Sequence, residues 1–136
     1  MKKLKKFIPF RKKHPQVAVI KLAGVIATSS SLRKGLNLQS IETHLHDAFS
    51  NKRTTAVALV VNSPGGSPVQ SDLIQKRVRD LGQEFKKPIF VFCEDVAASG
   101  GYWIALAGDE IYANASSIIG SIGVVSAGFG FKEAIS

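Results

Sequence analysis

The chain holds a single cysteine, Cys93, in 136 residues. That excludes an intramolecular disulfide framework and a multi-cysteine zinc site, and it fits a reducing, cytoplasmic setting. No acidic residue precedes Glu42. No apolar run near the start is long enough for a secretory core: Phe7-Ile8-Pro9-Phe10 is four residues and contains a proline, against roughly 7–15 apolar residues in a signal peptide. The Gly-Lys-Ser/Thr ending of a phosphate loop and the Gly-x-Gly-x-x-Gly dinucleotide fingerprint are both missing. Histidines are few: His14, His44 and His46. The last two are two apart on an expected helix, lack the i,i+4 spacing of a metal pair, and read as surface residues. No metal and no organic cofactor are expected.

Basic residues are abundant but not spread evenly. Of 18 Lys+Arg, seven fall in the first 13 positions, as Lys2, Lys3, Lys5, Lys6, Arg11, Lys12 and Lys13. Residues 14–136 carry 11 basic and 10 acidic groups, so the formal charge of +8 belongs mostly to a leader. A nucleic-acid-binding fold interleaves its cations on a folded face, so nucleic acid is not an expected partner. Residues 1–15 read as a basic leader with two open uses. It is a solvated tail, or it makes a peripheral contact with anionic lipid, with Phe7 and Phe10 in the interface. Residues 111–131 carry no charge, but their glycines, serines and Asn114 suit tightly packed turns in a core better than a membrane span.

From His14 the pattern is α/β. Val17–Ile20 and Val25–Ala27 form one strand or a bent pair. Leu38–Ser50 spaces Ile41, Leu45, Ala48 and Phe49 as a helix does. Ala56–Val61 is a continuous apolar run, the mark of a strand buried on both faces. Ser71–Phe85 is helical, with Leu73, Ile74, Val78 and Leu81 inward and Lys76, Arg77 and Arg79 on a solvated face. Ile89–Phe92 is a second buried strand, Tyr102–Ala107 a short helix and Ile111–Ala113 a further strand. Alternating strands and helices imply a parallel sheet with right-handed crossovers.

Two loops carry the chemistry. Asn62-Ser63-Pro64-Gly65-Gly66-Ser67 leaves one buried strand and opens a helix. Its adjacent glycines permit positive φ and close approach of a ligand to backbone amides. The plainer reading is a strand-to-helix turn capped by Ser67. Ala97-Ala98-Ser99-Gly100-Gly101-Tyr102-Trp103 has the same setting. Ser99 there is either an exposed nucleophile beside an amide that steadies an oxyanion, or a helix N-cap. Both loops end adjacent strands of one sheet, where ligand sites of open α/β sheets lie. Cys93 reads as a small buried hydrophobe. Glu94 and Asp95 set a strand exit or pair with a lysine. Asp109 and Glu110 form a turn. Tyr102 and Trp103 line a groove or pack in the core.

The runs NSPGGSPVQSDLI and VFCEDVAASGGYWIALAGDEIYANASSIIGSIGV resemble the signal-peptide-peptidase-A serine peptidases, within the Clp-protease/crotonase superfamily. The resemblance spans residues 15–133. It implies a Clp-protease/crotonase-type parallel sheet and a peptidase domain over residues 16–136 whose C-terminal part is missing. It also implies Ser99 as nucleophile, Gly66 and Gly100 as oxyanion-hole amides, and Gly65 as the residue that shapes the turn. Its substrates are signal-peptide remnants or unfolded peptides, and its complete members are homo-oligomers. The family's general base is a lysine whose position falls past Ser136; Lys132, the nearest downstream lysine, does not match it. The expectation is thus a serine–lysine peptidase whose base is absent from this chain. Two other readings stay open: an inactive fragment or pseudoenzyme subunit, and a crotonase-like acyl-thioester enzyme.

Overall fold

A computed structural model describes residues 14–28 and 35–123. The elements run β1 (Gln16–Ala23), α1 (Leu38–Ser50), β2 (Thr54–Ser63), α2 (Pro68–Phe85), β3 (Ile89–Ala98), α3 (Gly100–Ala105), β4 (Glu110–Ala113) and β5 (Ile118–Gly120). The five strands form one parallel sheet in the order β1-β2-β3-β4, with β5 pairing β3 beyond the end of β4. The expected α/β class with a parallel sheet is therefore observed.

The helix boundaries follow from their caps. Asn37 accepts a hydrogen bond from the Ser40 amide at 2.9 Å, and the Ser40 hydroxyl accepts one from the Asn37 amide, closing a capping box at the start of α1. At its other end Lys87 donates to the carbonyls of Phe49 and Asn51, the cation placed where the helix dipole favours it. Ser67 caps α2, Pro68 fills its first position, and Lys86 ends it in the left-handed region at φ 51. The cap proposed for Ser67 is thus present.

Strand register sorts the residues onto two faces. One carries the rows Ile20–Leu59–Val91 and Leu22–Val61–Cys93, and α1, α2 and α3 pack there through Leu45, Phe49, Ile74, Val78, Leu81 and Ile104. Each of these large side chains contributes about 1.5–3 kcal/mol on burial. Exposed ion pairs contribute no more than about 1 kcal/mol, so apolar burial dominates. The other face carries Val19–Ala58–Phe90–Glu110 and Lys21–Val60–Phe92–Tyr112. A monotonic strand order with right-handed crossovers puts every helix on one side.

Several expectations change. Gly24, at φ 96, ends β1, and Val25–Ala27 is not a second strand; Ile26 alone returns, bridging Leu36 and Gly66. β3 continues past Phe92 to Ala98. Between the pairs Val61–Cys93 and Ser63–Ala97, β3 holds three residues where β2 holds only Asn62. The Asn62 side chain fills that bulge, donating to Asp95 and accepting from the Val96 amide. Glu94 pairs with Lys21. β5 is a strand where turns were expected, and Ile118, Ile119 and Ile122 are exposed rather than packed in a core. Leu73 is exposed, and Arg77 and Arg79 are not simply solvated: they reach Glu42 on α1 and Asp109 before β4. Cys93 is buried, and its desolvation raises the thiol pKa. His44 and His46 lie on the exposed face of α1. The leader 1–13 and Lys132 lie outside the described residues. Among the described residues no helix is long and apolar enough to cross a membrane, and no cluster of three or more His, Cys, Asp or Glu could hold a metal.

Candidate active site

β3 runs straight into Ser99, which turns the chain into α3. Ser99 has φ 52 and ψ −121, a conformation that a residue with a Cβ adopts only under strain. Two contacts impose it. Its amide donates to the Gly120 carbonyl at 2.7 Å, and its carbonyl accepts from the Trp103 amide at 3.0 Å. The Ser99 hydroxyl makes no capping bond to α3, so the N-cap reading is not what its side chain does. A sharp, strained strand-to-helix turn that leaves a hydroxyl uncommitted is the geometry of a nucleophile elbow.

The Pro-Gly-Gly loop lies beside it. The Ile26 amide donates to the Gly65 carbonyl at 2.9 Å, and the Ser67 amide donates to the Ile26 carbonyl at 2.7 Å. In a trans peptide the N–H points opposite to the C=O. With the Gly65 carbonyl turned to Ile26, the Gly66 N–H points the other way. Gly65 (φ 97) and Gly66 (φ 145) both have positive φ. A Cβ on Gly65 would stand 2.8 Å from the Ala98 carbonyl, the Gly100 amide and the Ser99 Cβ, and a Cβ on Gly66 would collide with the Ile26 carbonyl. Gly100 is the first residue of α3, so its N–H has no partner within the helix.

Gly66, Ser99 and Gly100 line one cavity of about 410 Å³ with Pro68, Trp103, Ile122 and Gly123. Gly65 is buried directly under Ser99. All four residues singled out in the sequence are thus brought together. Trp103 belongs to the cavity wall, whereas Tyr102 does not line it. No described lining residue is titratable. Of the described lysines, Lys21, Lys76 and Lys87 are engaged elsewhere. Pro68 and Ile122 were not singled out beforehand; both lie inside the two resembling runs, which was the available signal.

Residues 82–136 match the sequence profile of peptidase family S49. The chain is 38% identical over 109 residues to Protease 4 of Haemophilus influenzae, across 80% of this chain and 18% of that protein. It is 36% identical over 120 residues to a putative signal peptide peptidase SppA of Enterococcus faecium, across 84% of this chain and 35% of that protein. It is also 58% identical over 133 residues to a protein named Na(+)/H(+) antiporter NhaA from Brucella melitensis, covering 96% of this chain but 18% of that protein. The chain therefore spans about a fifth to a third of the length of these curated relatives.

Proposed function

Because this chain belongs to peptidase family S49, of the signal peptide peptidase A type, we propose that Ser99 is the nucleophile of a serine endopeptidase. Ser99 Oγ attacks the carbonyl carbon of a peptide bond as its proton passes to a neutral lysine. The carbonyl oxygen becomes an oxyanion that accepts hydrogen bonds from the Gly66 and Gly100 amides, while Gly65 keeps the loop against the serine. Collapse expels the amine, which takes up the proton, and water then releases the acyl group from Ser99. A lysine that works as a base needs desolvation to lower its pKa. In this reading it comes from outside the described residues, since none lines the cavity.

The observation that carries the reading is the strained Ser99 turn, with its hydroxyl uncommitted, between two glycine loops in one cavity. The apolar side chains of Pro68, Trp103 and Ile122 suit unfolded or hydrophobic peptides, signal-peptide remnants among them. Assembly into a homo-oligomer, and contact of the basic leader with anionic lipid, belong to the same reading. A lipid contact predicts co-sedimentation with phosphatidylglycerol vesicles that weakens as salt rises; binding indifferent to salt, or none, removes it.

A peptide boronic acid tests the nucleophile without a leaving amine: Ser99 Oγ bonds to boron and its proton passes to solvent. It should form a tetrahedral adduct on Ser99, visible by boron NMR and absent in Ser99→Ala. No adduct, or one that survives in Ser99→Ala, overturns the assignment. Saturable binding of coenzyme A in place of an adduct would favour the acyl-thioester reading.

A further inference from the structure

We propose that Ser63 is a positioning residue for this site: its buried hydroxyl aims the Gly66 amide at Ser99 without touching substrate. The inference rests on the peptidase reading above for its purpose, but not for its geometry. Ser63 ends β2 and is fully buried. Its hydroxyl donates to the Gly24 carbonyl at 2.7 Å and accepts from the Gly65 amide at 3.1 Å. That hydroxyl therefore ties the end of β1 to the first glycine of the loop.

The other ties on that side are all backbone. Gly24 N–H donates to the Asn62 carbonyl, Ile26 N–H to the Gly65 carbonyl, and Ser67 N–H to the Ile26 carbonyl. Among these clamps Ser63 supplies the one side chain, so it is the one that a substitution removes. Ser63 also touches the second loop. A Cβ on Gly101 would stand 3.1 Å from the Ser63 Cβ and would collide with the Ser63 carbonyl. The start of α3 thus rests on the residue that holds the Pro-Gly-Gly loop, and Ser63 fixes the distance between the two. Without its hydroxyl the Pro64–Gly65 peptide loses its side-chain tie, and the next peptide, which carries the Gly66 N–H, is then held only by the Ile26 bond to the Gly65 carbonyl.

The test compares the parent chain with Ser63→Ala and with Ser63→Cys, which keeps the volume but donates weakly. In a folded variant the Gly65 amide should exchange at least about tenfold faster, while the interior of β2, Val57–Val61, keeps its protection. The Gly66 amide resonance should move. Affinity for a peptide boronic acid should fall up to about 10²-fold, while affinity for the matching uncharged peptide amide, which forms no oxyanion, stays at the parent value. That split separates aiming from mere packing, which would weaken both ligands together. A Gly66 resonance and boronate affinity at parent levels in either folded variant overturn the proposal. If the parent forms no adduct, the peptidase reading has failed, and the Gly65 and Gly66 amides alone decide whether Ser63 sets the loop.

Discussion

Ser99 is held at positive φ by its neighbours, and the energy stored there is measurable. A residue in such a region costs of order 1–3 kcal/mol relative to glycine's freedom there. In the interior of a helix or strand glycine normally destabilises relative to alanine. At this position the order should reverse: Ser99→Gly should be more stable than Ser99→Ala by about 1 kcal/mol, a shift of several degrees in Tm. Equal or lower stability of the glycine variant would mean that the turn is relaxed. Gly66 shows the opposite constraint. A Cβ there meets the Ile26 carbonyl at a φ that side chains rarely adopt. Gly66→Ala should therefore lower both stability and boronate affinity, the latter by about 10²–10³-fold if the amide is an oxyanion donor. Affinity near the parent value would remove that amide from the hole. The glycine pairs and the serine alone fit capped strand-to-helix turns as well as a site; it is the resemblance of the two runs to a peptidase family that makes Ser99, Gly65, Gly66 and Gly100 legible as one. The positive φ of Ser99 is not legible, because one of the two contacts that hold it is the Gly120 carbonyl, 21 positions downstream, a pairing that sequence spacing does not reveal.

Elements were legible where one face alternates against another. Leu38–Ser50 reads as a helix and is one over those residues, since Ile41, Leu45 and Phe49 define a stripe and Asn37 caps it. β3 was cut short because Glu94 and Asp95 interrupt its apolar run. The sheet accommodates them through Lys21 and through Asn62 in the bulge, partners that sequence spacing cannot reveal. β5 is not legible in sequence because three residues, two of them exposed isoleucines, give no period. The arginines of α2 read as a solvated face in sequence because their partners are distant: Glu42 for Arg77, and Asp109 for Arg79. Asp109 joins three elements, accepting from the Ile89 amide at the start of β3 and from Arg79. The hydrogen bond from Ile89, and then that from Arg79, hold its carboxyl below the ordinary value. A depressed carboxyl stabilises the fold in its ionised form. Its contribution is complete above the unfolded value of about 3.9 and is lost as pH falls through the lower folded value. Urea midpoints of the parent and Asp109→Asn should differ at neutral pH and converge in acid. A gap that persists unchanged in acid would mean that the carboxylate charge is not what ties these elements.

For the molecule as a whole, one sheet face is packed and the other is bare among the described residues. Parallel sheets are nearly always covered on both sides, yet Val17, Val19, Phe92 and Tyr112 stay exposed, with Phe92 and Tyr112 stacked at 5.2 Å. The exposed apolar surface includes this patch and Ile118–Ile122, whereas Val57 and Val61 are fully buried. Such a patch should bind a hydrophobic dye, and Val19→Lys with Phe92→Lys should reduce that signal several-fold without lowering the melting temperature. The cavity beside Ser99 is similarly partial. It offers a strained serine, two lining glycines and apolar walls, but its described lining holds no group that can take a proton. A serine hydroxyl without a base is a poor nucleophile toward an amide, although it still bonds to boron, releasing its proton to solvent with no leaving group to expel. The 136-residue chain should therefore form the boronate adduct and yet show no Ser99-dependent hydrolysis of a fluorogenic peptide. Hydrolysis that disappears in Ser99→Ala would overturn this and locate a base within the chain or on a second copy. Lys132→Ala then discriminates further: loss of that activity would assign the proton to Lys132, and its survival, with rate proportional to the square of protein concentration, would assign it to a neighbouring molecule.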